Sequence, residues 1–173
     1  MDEFLPNEGL HLINGSGVNE DLLAIYREED KHFQILERLD NVWGVEPRNP
    51  EQRLAMEYLL DPKIHVVSLS GKSGTGKTLL ALAAGLQLML TQNLYTRMLV
   101  SRPIFPMGRD LGYLPGDAQE KLAPWMQPIF DNLELLIGNP KTGRGHSASG
   151  HQELIERGLL VVEPLTYIRG RSI

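Results

Sequence analysis

Cysteine is missing from all 173 residues, which removes disulfides, zinc-thiolate centres and thiol nucleophiles from consideration. Long apolar runs are scarce. The longest, "LLALAAGLQLML" at 79–90, is too short to span a bilayer and carries Gln87. The opening "MDEFLPNEGL" is acidic and has none of the basic-then-apolar layout of a signal peptide, so a soluble cytoplasmic protein with no membrane partner is expected. Positive charge is thin at the front: residues 1–40 hold ten acids and three bases, −7, whereas residues 41–173 hold fourteen bases and twelve acids, +2. The overall charge of −5 therefore does not exclude a nucleic-acid partner for the later part, where Arg97, Arg102 and Arg109 make local basic clusters.

What is present suffices for a core. The chain is 42% hydrophobic, and its length suits one domain with a small appendage. "GLHLI", "DLLAIYRE" and "HFQILERL", separated by "NGSG" and "EEDK", read as strands and turns, giving a small β-rich connector over 1–43. "GVEPRNPEQ" then marks a boundary and a helix start, with Asn49 as N-cap, Pro50 at the first helical position and Glu51 in the first turn. From residue 44 onward the pattern alternates. A helix is expected in "EQRLAMEYLL", a buried strand in "IHVVSL", a helix through "KTLLALAAGLQLMLTQ" and a strand in "RMLVS". A helical region interrupted by Pro124 and Pro128, a short helix in "SGHQELIERG" and a strand in "LLVVEP" follow. Such alternation predicts an α/β fold, a parallel sheet flanked by helices on both faces. "GNPKTGRGHSASG" at 138–150 has no periodicity, and a mobile loop is expected there.

The chemistry concentrates in "SGKSGTGKT", residues 70–78. Gly71, Gly76, Lys77 and Thr78 fit the phosphate-binding pattern of a glycine, four residues, then Gly-Lys-Ser/Thr. Glycines let successive N–H groups turn into one concavity, and a helix starting near Lys77 aims its positive end at the same point. An ordinary flexible turn would not need a buried strand before it and an amphipathic helix after it. Lys77 is expected on the β and γ phosphates of a nucleotide and the Thr78 hydroxyl on Mg²⁺, with Lys72, Ser73, Gly74, Thr75 and Leu79 completing the contacts. Ahead of the loop, Gln52 lies in a first helical turn and resembles the glutamine of the superfamily 1 helicase Q motif. An amide has the donor and acceptor that adenine requires, although a solvated helix glutamine has the same spacing.

The stretch "VSRPIFPMGRDLGYLPGDAQEKLAPWMQPIFDNL" at 100–133, with "PLTYIRGRSI" at 164–173 and "GKSGTGKTLLALAAGL" between "NPEQ" and both, resembles the signature of the PhoH-type ATPases over about residues 44–173. The wording is most similar to the branch in which a PIN ribonuclease domain precedes the PhoH domain. The resemblance implies a RecA-like P-loop core binding ATP and Mg²⁺, hexameric assembly, and ATP-driven unwinding of RNA coupled to PIN cleavage. Residues 1–40 are too short for a PIN domain, and the family's Asp-Glu-Ala-Gln segment after "RGR" does not occur in this sequence. The chain is therefore expected to be a piece of a longer protein, without the acids that anchor Mg²⁺ and without hydrolysis of its own.

Arg102 and Arg109 are candidates for single-stranded RNA, and Arg169 and Arg171 for sensing the γ phosphate; each also reads as a structural ion pair or a solvated side chain. Trp125 reads as core on its helical spacing with Ile129, His65 as a satisfied core histidine, and His146 and His151 as lacking the carboxylate partners of a metal site. The alternative function class is an ATP-binding regulatory or small-molecule phosphotransferase domain without nucleic-acid action.

Overall fold

The computed structural model describes residues 4–13, 22–39, 41–103, 118–138, 150–165 and 168, with the backbone alone over 118–125. The front segment forms three antiparallel strands in the order β1-β2-β3, namely β1 (Gly9–Leu12), β2 (Leu22–Arg27) and β3 (His32–Ile35). Gly9 pairs with Ile25 and Tyr26 with Phe33, so alternate residues divide the sheet into two faces. The Gly9 and Ile25 side rests on the first helix. A Cβ at Gly9 would stand 2.6 Å from the Tyr58 hydroxyl, Ile25 is fully buried, and Tyr58 donates to the Asn7 carbonyl at 2.9 Å. Arg27 pairs with Asp61 at 2.9 Å across the same seam.

Helix α1 (Pro50–Leu60) begins as its sequence dictates. The Asn49 side chain accepts from the Gln52 N–H at 2.8 Å, Pro50 takes the first position where no N–H is needed, and Glu51 meets the positive end of the helix. Helix α2 (Lys77–Leu86) runs into a π turn over Gln87–Thr91. Strand β4 (Met98–Arg102), helices α3 (Ala118–Ile137) and α4 (Gly150–Glu156), and strand β5 (Leu160–Pro164) follow. β4 and β5 pair in parallel from Met98 opposite Leu160 to Arg102 opposite Pro164. The architecture is thus mixed α/β, a parallel pair with helices plus an antiparallel front sheet. The core lies between α2, α3 and β5, where Leu86, Leu133, Leu136 and Leu160 are almost fully buried and Met56 of α1 joins them.

Three expectations are corrected. "IHVVSL" is not a buried strand: residues 64–70 pair with no strand among the described residues, and Val66 is 85% exposed. Apolarity gives a segment a tendency to pair, but the partner must come from elsewhere in the chain. His65, on that segment, is correspondingly exposed rather than core. The prolines do not interrupt α3, which is one helix through both. Met126, Ile129, Leu133 and Leu136 put a buried stripe on α3, and packing of that stripe outweighs the ~3 kcal/mol that an interior proline typically costs. Asn132 Nδ2 also donates to the Pro128 carbonyl at 2.6 Å. The loop expected at 138–150 falls, from 139 to 149, outside the described residues.

Candidate nucleotide site

The glycine-rich loop turns directly into α2. Gly74 and Gly76 hold φ of 79° and 81°, left-handed values that a side chain disfavours, and Gly76 is the N-cap of the helix. The turn leaves Lys77 aimed back over its own loop. Its Nζ donates to the Gly71 carbonyl at 2.9 Å, the Lys72 carbonyl at 2.7 Å and Thr75 Oγ1 at 3.2 Å. Thr75 Oγ1 in turn donates to the Lys72 carbonyl at 2.9 Å. The ammonium therefore stands at the mouth of the loop beside the helix N-terminus, where two sources of positive potential coincide. Thr78 is exposed in the first turn of α2, leaving its hydroxyl accessible to a hydrated cation, which fits a hard-metal ligand supplied by one side chain.

Gln52 is fixed against this loop. Its Oε1 accepts from the Arg48 N–H at 2.8 Å and its Nε2 donates to the Thr75 carbonyl at 3.3 Å. A Cβ on Gly76 would come within 3.4 Å of that same Nε2. An amide has two N–H donors and two lone pairs, so one of each remains after both contacts. The oriented amide retains the pattern that adenine N7 and N6 would complete.

A cavity of about 480 Å³ opens beside Gln52, bounded by Val45, Pro47, Arg48, Gly76, Leu79 and Leu135 among others. Its lining is mixed, with Val45, Leu79, Leu80 and Leu135 offering apolar surface and Glu46, Arg48 and the oriented Gln52 amide offering polar groups, a combination that can take a flat heteroaromatic base. The sequence marks the wall at 44–48 only as a domain boundary. Its role arises from Trp43, whose ring is buried and whose Nε1 donates to Thr91 Oγ1 at 3.3 Å in the π turn. The Val42 and Val45 backbones exchange two 2.9 Å bonds that close the turn. No local motif signals this arrangement, because it joins Trp43, ahead of α1, to Thr91, beyond α2 and 48 residues away. A second, more apolar cavity of about 530 Å³ lies on the other side of the loop, between α1 and residues 67–71.

The structure thus brings together Gln52, Gly71, Lys72, Gly74, Thr75, Gly76, Lys77 and Leu79, with Ser73 at the exposed turn and Thr78 one residue into the helix. Arg102 stands at the carboxyl end of β4 and lines neither cavity. Arg109, Arg169, Arg171, His146 and the side chain of Trp125 lie outside the described residues. His151 lies against the Phe130 ring, centroids 5.6 Å apart. Among the described residues, no helix is long and apolar enough to cross a membrane.

A family model for PhoH-like proteins matches residues 44–173. Protein PhoH2 of Bacillus subtilis (strain 168) is 46% identical over 174 residues, covering 98% of this chain and 38% of the relative. Protein PhoH2 of Mycolicibacterium smegmatis is 44% identical over 144 residues, 83% of this chain and 31% of the relative. A PhoH-like protein of Bacillus subtilis is 35% identical over 103 residues, 60% of this chain and 29% of the relative. The chain spans less than two fifths of the length of each.

Proposed function

This chain belongs to the PhoH-like protein family, and on that premise we propose that it is the ATP-binding core of an ATPase that acts on single-stranded RNA. The observation that supports the reading best is Lys77 Nζ gathered at the mouth of a left-handed glycine turn on the N-terminus of α2. A polyphosphate entering there offers the ammonium charged oxygens in place of backbone carbonyls, and charge-assisted bonds are the stronger. Lys77 then neutralises charge on the β and γ phosphates, and the α2 N-terminus adds its partial charge. Thr78 would hold Mg²⁺, which when bound screens the same oxygens. Gln52 would read the adenine edge from its cavity wall, and Leu79 would pack on the base.

The same reading gives Arg102 and Arg109 to RNA phosphates and Arg169 and Arg171 to the γ phosphate. In the full-length protein it carries a hexameric, cytoplasmic ATPase coupled to a PIN nuclease domain. The deciding experiment is ATP turnover by the full-length protein with and without single-stranded RNA. Stimulation by RNA, lost in Lys77→Ala, is the expected result. Turnover or binding indifferent to RNA would transfer the protein to the regulatory or phosphotransferase class.

A further inference from the structure

Trp43 stands in a backbone conformation that its side chain disfavours. Val42 and Val45 pair antiparallel around a two-residue turn, in which Trp43 has a φ of 50° and Gly44 a φ of 75°. Both values are left-handed, as in the tight hairpin turn that favours Asn-Gly. Gly44 meets that requirement freely, and its N–H donates to Asn41 Oδ1 at 3.2 Å. A bulky aromatic residue enters this region only against backbone energy, and such outliers persist where tertiary contacts over-determine them. Here those contacts belong to the ring. Trp43 is buried in the apolar core together with Val42, and its Nε1 donates to Thr91 Oγ1 at 3.3 Å.

Thr91 closes the π turn, where the Gln92 N–H reaches back to the Gln87 carbonyl at 3.0 Å, a local widening that recurs at functional positions of helices. That turn ends the helical run that begins at Lys77. The chain between Trp43 and α1 is therefore a strap tied at both ends. Trp43 ties it to Thr91, and the Arg48 N–H ties it to Gln52 Oε1 at 2.8 Å. Between the ties, residues 44–48 form a wall of the cavity of about 480 Å³, which Leu79 and Leu135 also line. The contacts of Lys77 Nζ, in contrast, stay within residues 71–75. The base wall and the phosphate loop are thus held by separate bonds. On the reading that this site takes a nucleotide, we propose that Trp43 is a positioning residue for the base: its bond to Thr91 holds the 44–48 strap against the cavity, and so sets affinity for the base of the nucleotide without altering affinity for its phosphates.

Calorimetric titration of the full-length protein with ATP and with inorganic tripolyphosphate, each with Mg²⁺, separates the two ends of the site. Trp43→Phe keeps an aromatic ring and lacks the N–H, and Thr91→Val lacks the acceptor. Each should weaken ATP about tenfold and leave tripolyphosphate within about twofold of the parent. KM for ATP should rise while kcat stays within about twofold, because the phosphates keep their contacts. The double variant should be no weaker than either single one, since both changes remove the same bond. Thr91→Ser, which keeps a hydroxyl, should restore the parental affinity for ATP. Thr91 is exposed, so its two variants carry the test should Trp43→Phe not fold. Equal weakening of ATP and tripolyphosphate, additive losses in the double variant, or a parental ratio of the two affinities in Thr91→Val would each overturn the proposal. Where Lys77→Ala still abolishes ATP binding in those cases, the nucleotide site itself stands and only the role of Trp43 falls. A parent protein that binds neither ligand would remove both.

Discussion

Lys77 spends its three donors on Gly71, Lys72 and Thr75, all partners within the loop it leaves. None of these contacts ties distant elements together. Lys77→Ala should therefore abolish measurable ATP binding in calorimetric titration while changing stability by no more than about 0.5 kcal/mol. Wild-type affinity in that variant would remove the lysine from the site. Gln52 is different, because its amide bridges the start of α1 to the carbonyl of Thr75. If the remaining donor and acceptor read adenine, Gln52→Ala should weaken ATP more than GTP, by about 1–3 kcal/mol. Equal losses for the two nucleotides would leave Gln52 as a brace for the loop alone.

At the scale of elements, the front sheet is held to α1 by polar contacts at the edge of an apolar seam. Burial raises the Tyr58 phenol above its ordinary value of 10.0, with Arg27 pulling it down and Glu8 pushing it up. The neutral phenol donates to Asn7, so the folded state keeps a proton that the unfolded chain releases first. The contribution is complete below pH 10 and is lost as pH rises through the raised folded value. Tyr58→Phe should cost about 1 kcal/mol in urea denaturation near neutral pH, and less as the pH passes about 10. An undiminished difference above that pH would show that the phenol is not the titrating group. Elements of this kind were legible where their signals are local. Asn49, Pro50 and Glu51 sit within three consecutive positions and start α1 where they predict, and the turn at 74–76 follows from its glycines. Local rules misled at Pro128, because a buried stripe contributed by α2, α3 and α4 together decides whether α3 continues. They were silent at 42–45, where a contact between Trp43 and Thr91 makes a turn into a cavity wall.

Across the whole molecule, the phosphate loop has a firm side and a bare one. Residues 77–86 of α2 pack into the core, while residues 64–70, which lead into the loop from the other end, pair with no strand among the described residues. The sequence could report the apolarity of "IHVVSL" but not the identity of a partner, since strand pairing joins residues far apart in the chain. The position of the loop is consequently set by the Gly76 cap, the Gln52 bridge and the Lys77 contacts rather than by a sheet. Local opening requires few bonds to break on the bare side. In hydrogen exchange, the amides of 65–69 should trade within the fastest class while those of 98–102 and 160–164, paired in β4 and β5, are protected. Val66→Asp should change the stability of the 173-residue chain by no more than about 0.5 kcal/mol, as expected for an exposed position. Saturating ATP should slow exchange over 71–78 and leave 65–69 fast. Protection of 65–69 equal to that of β4, or a large loss of stability in Val66→Asp, would mean that this segment is paired and that the loop is anchored from both ends.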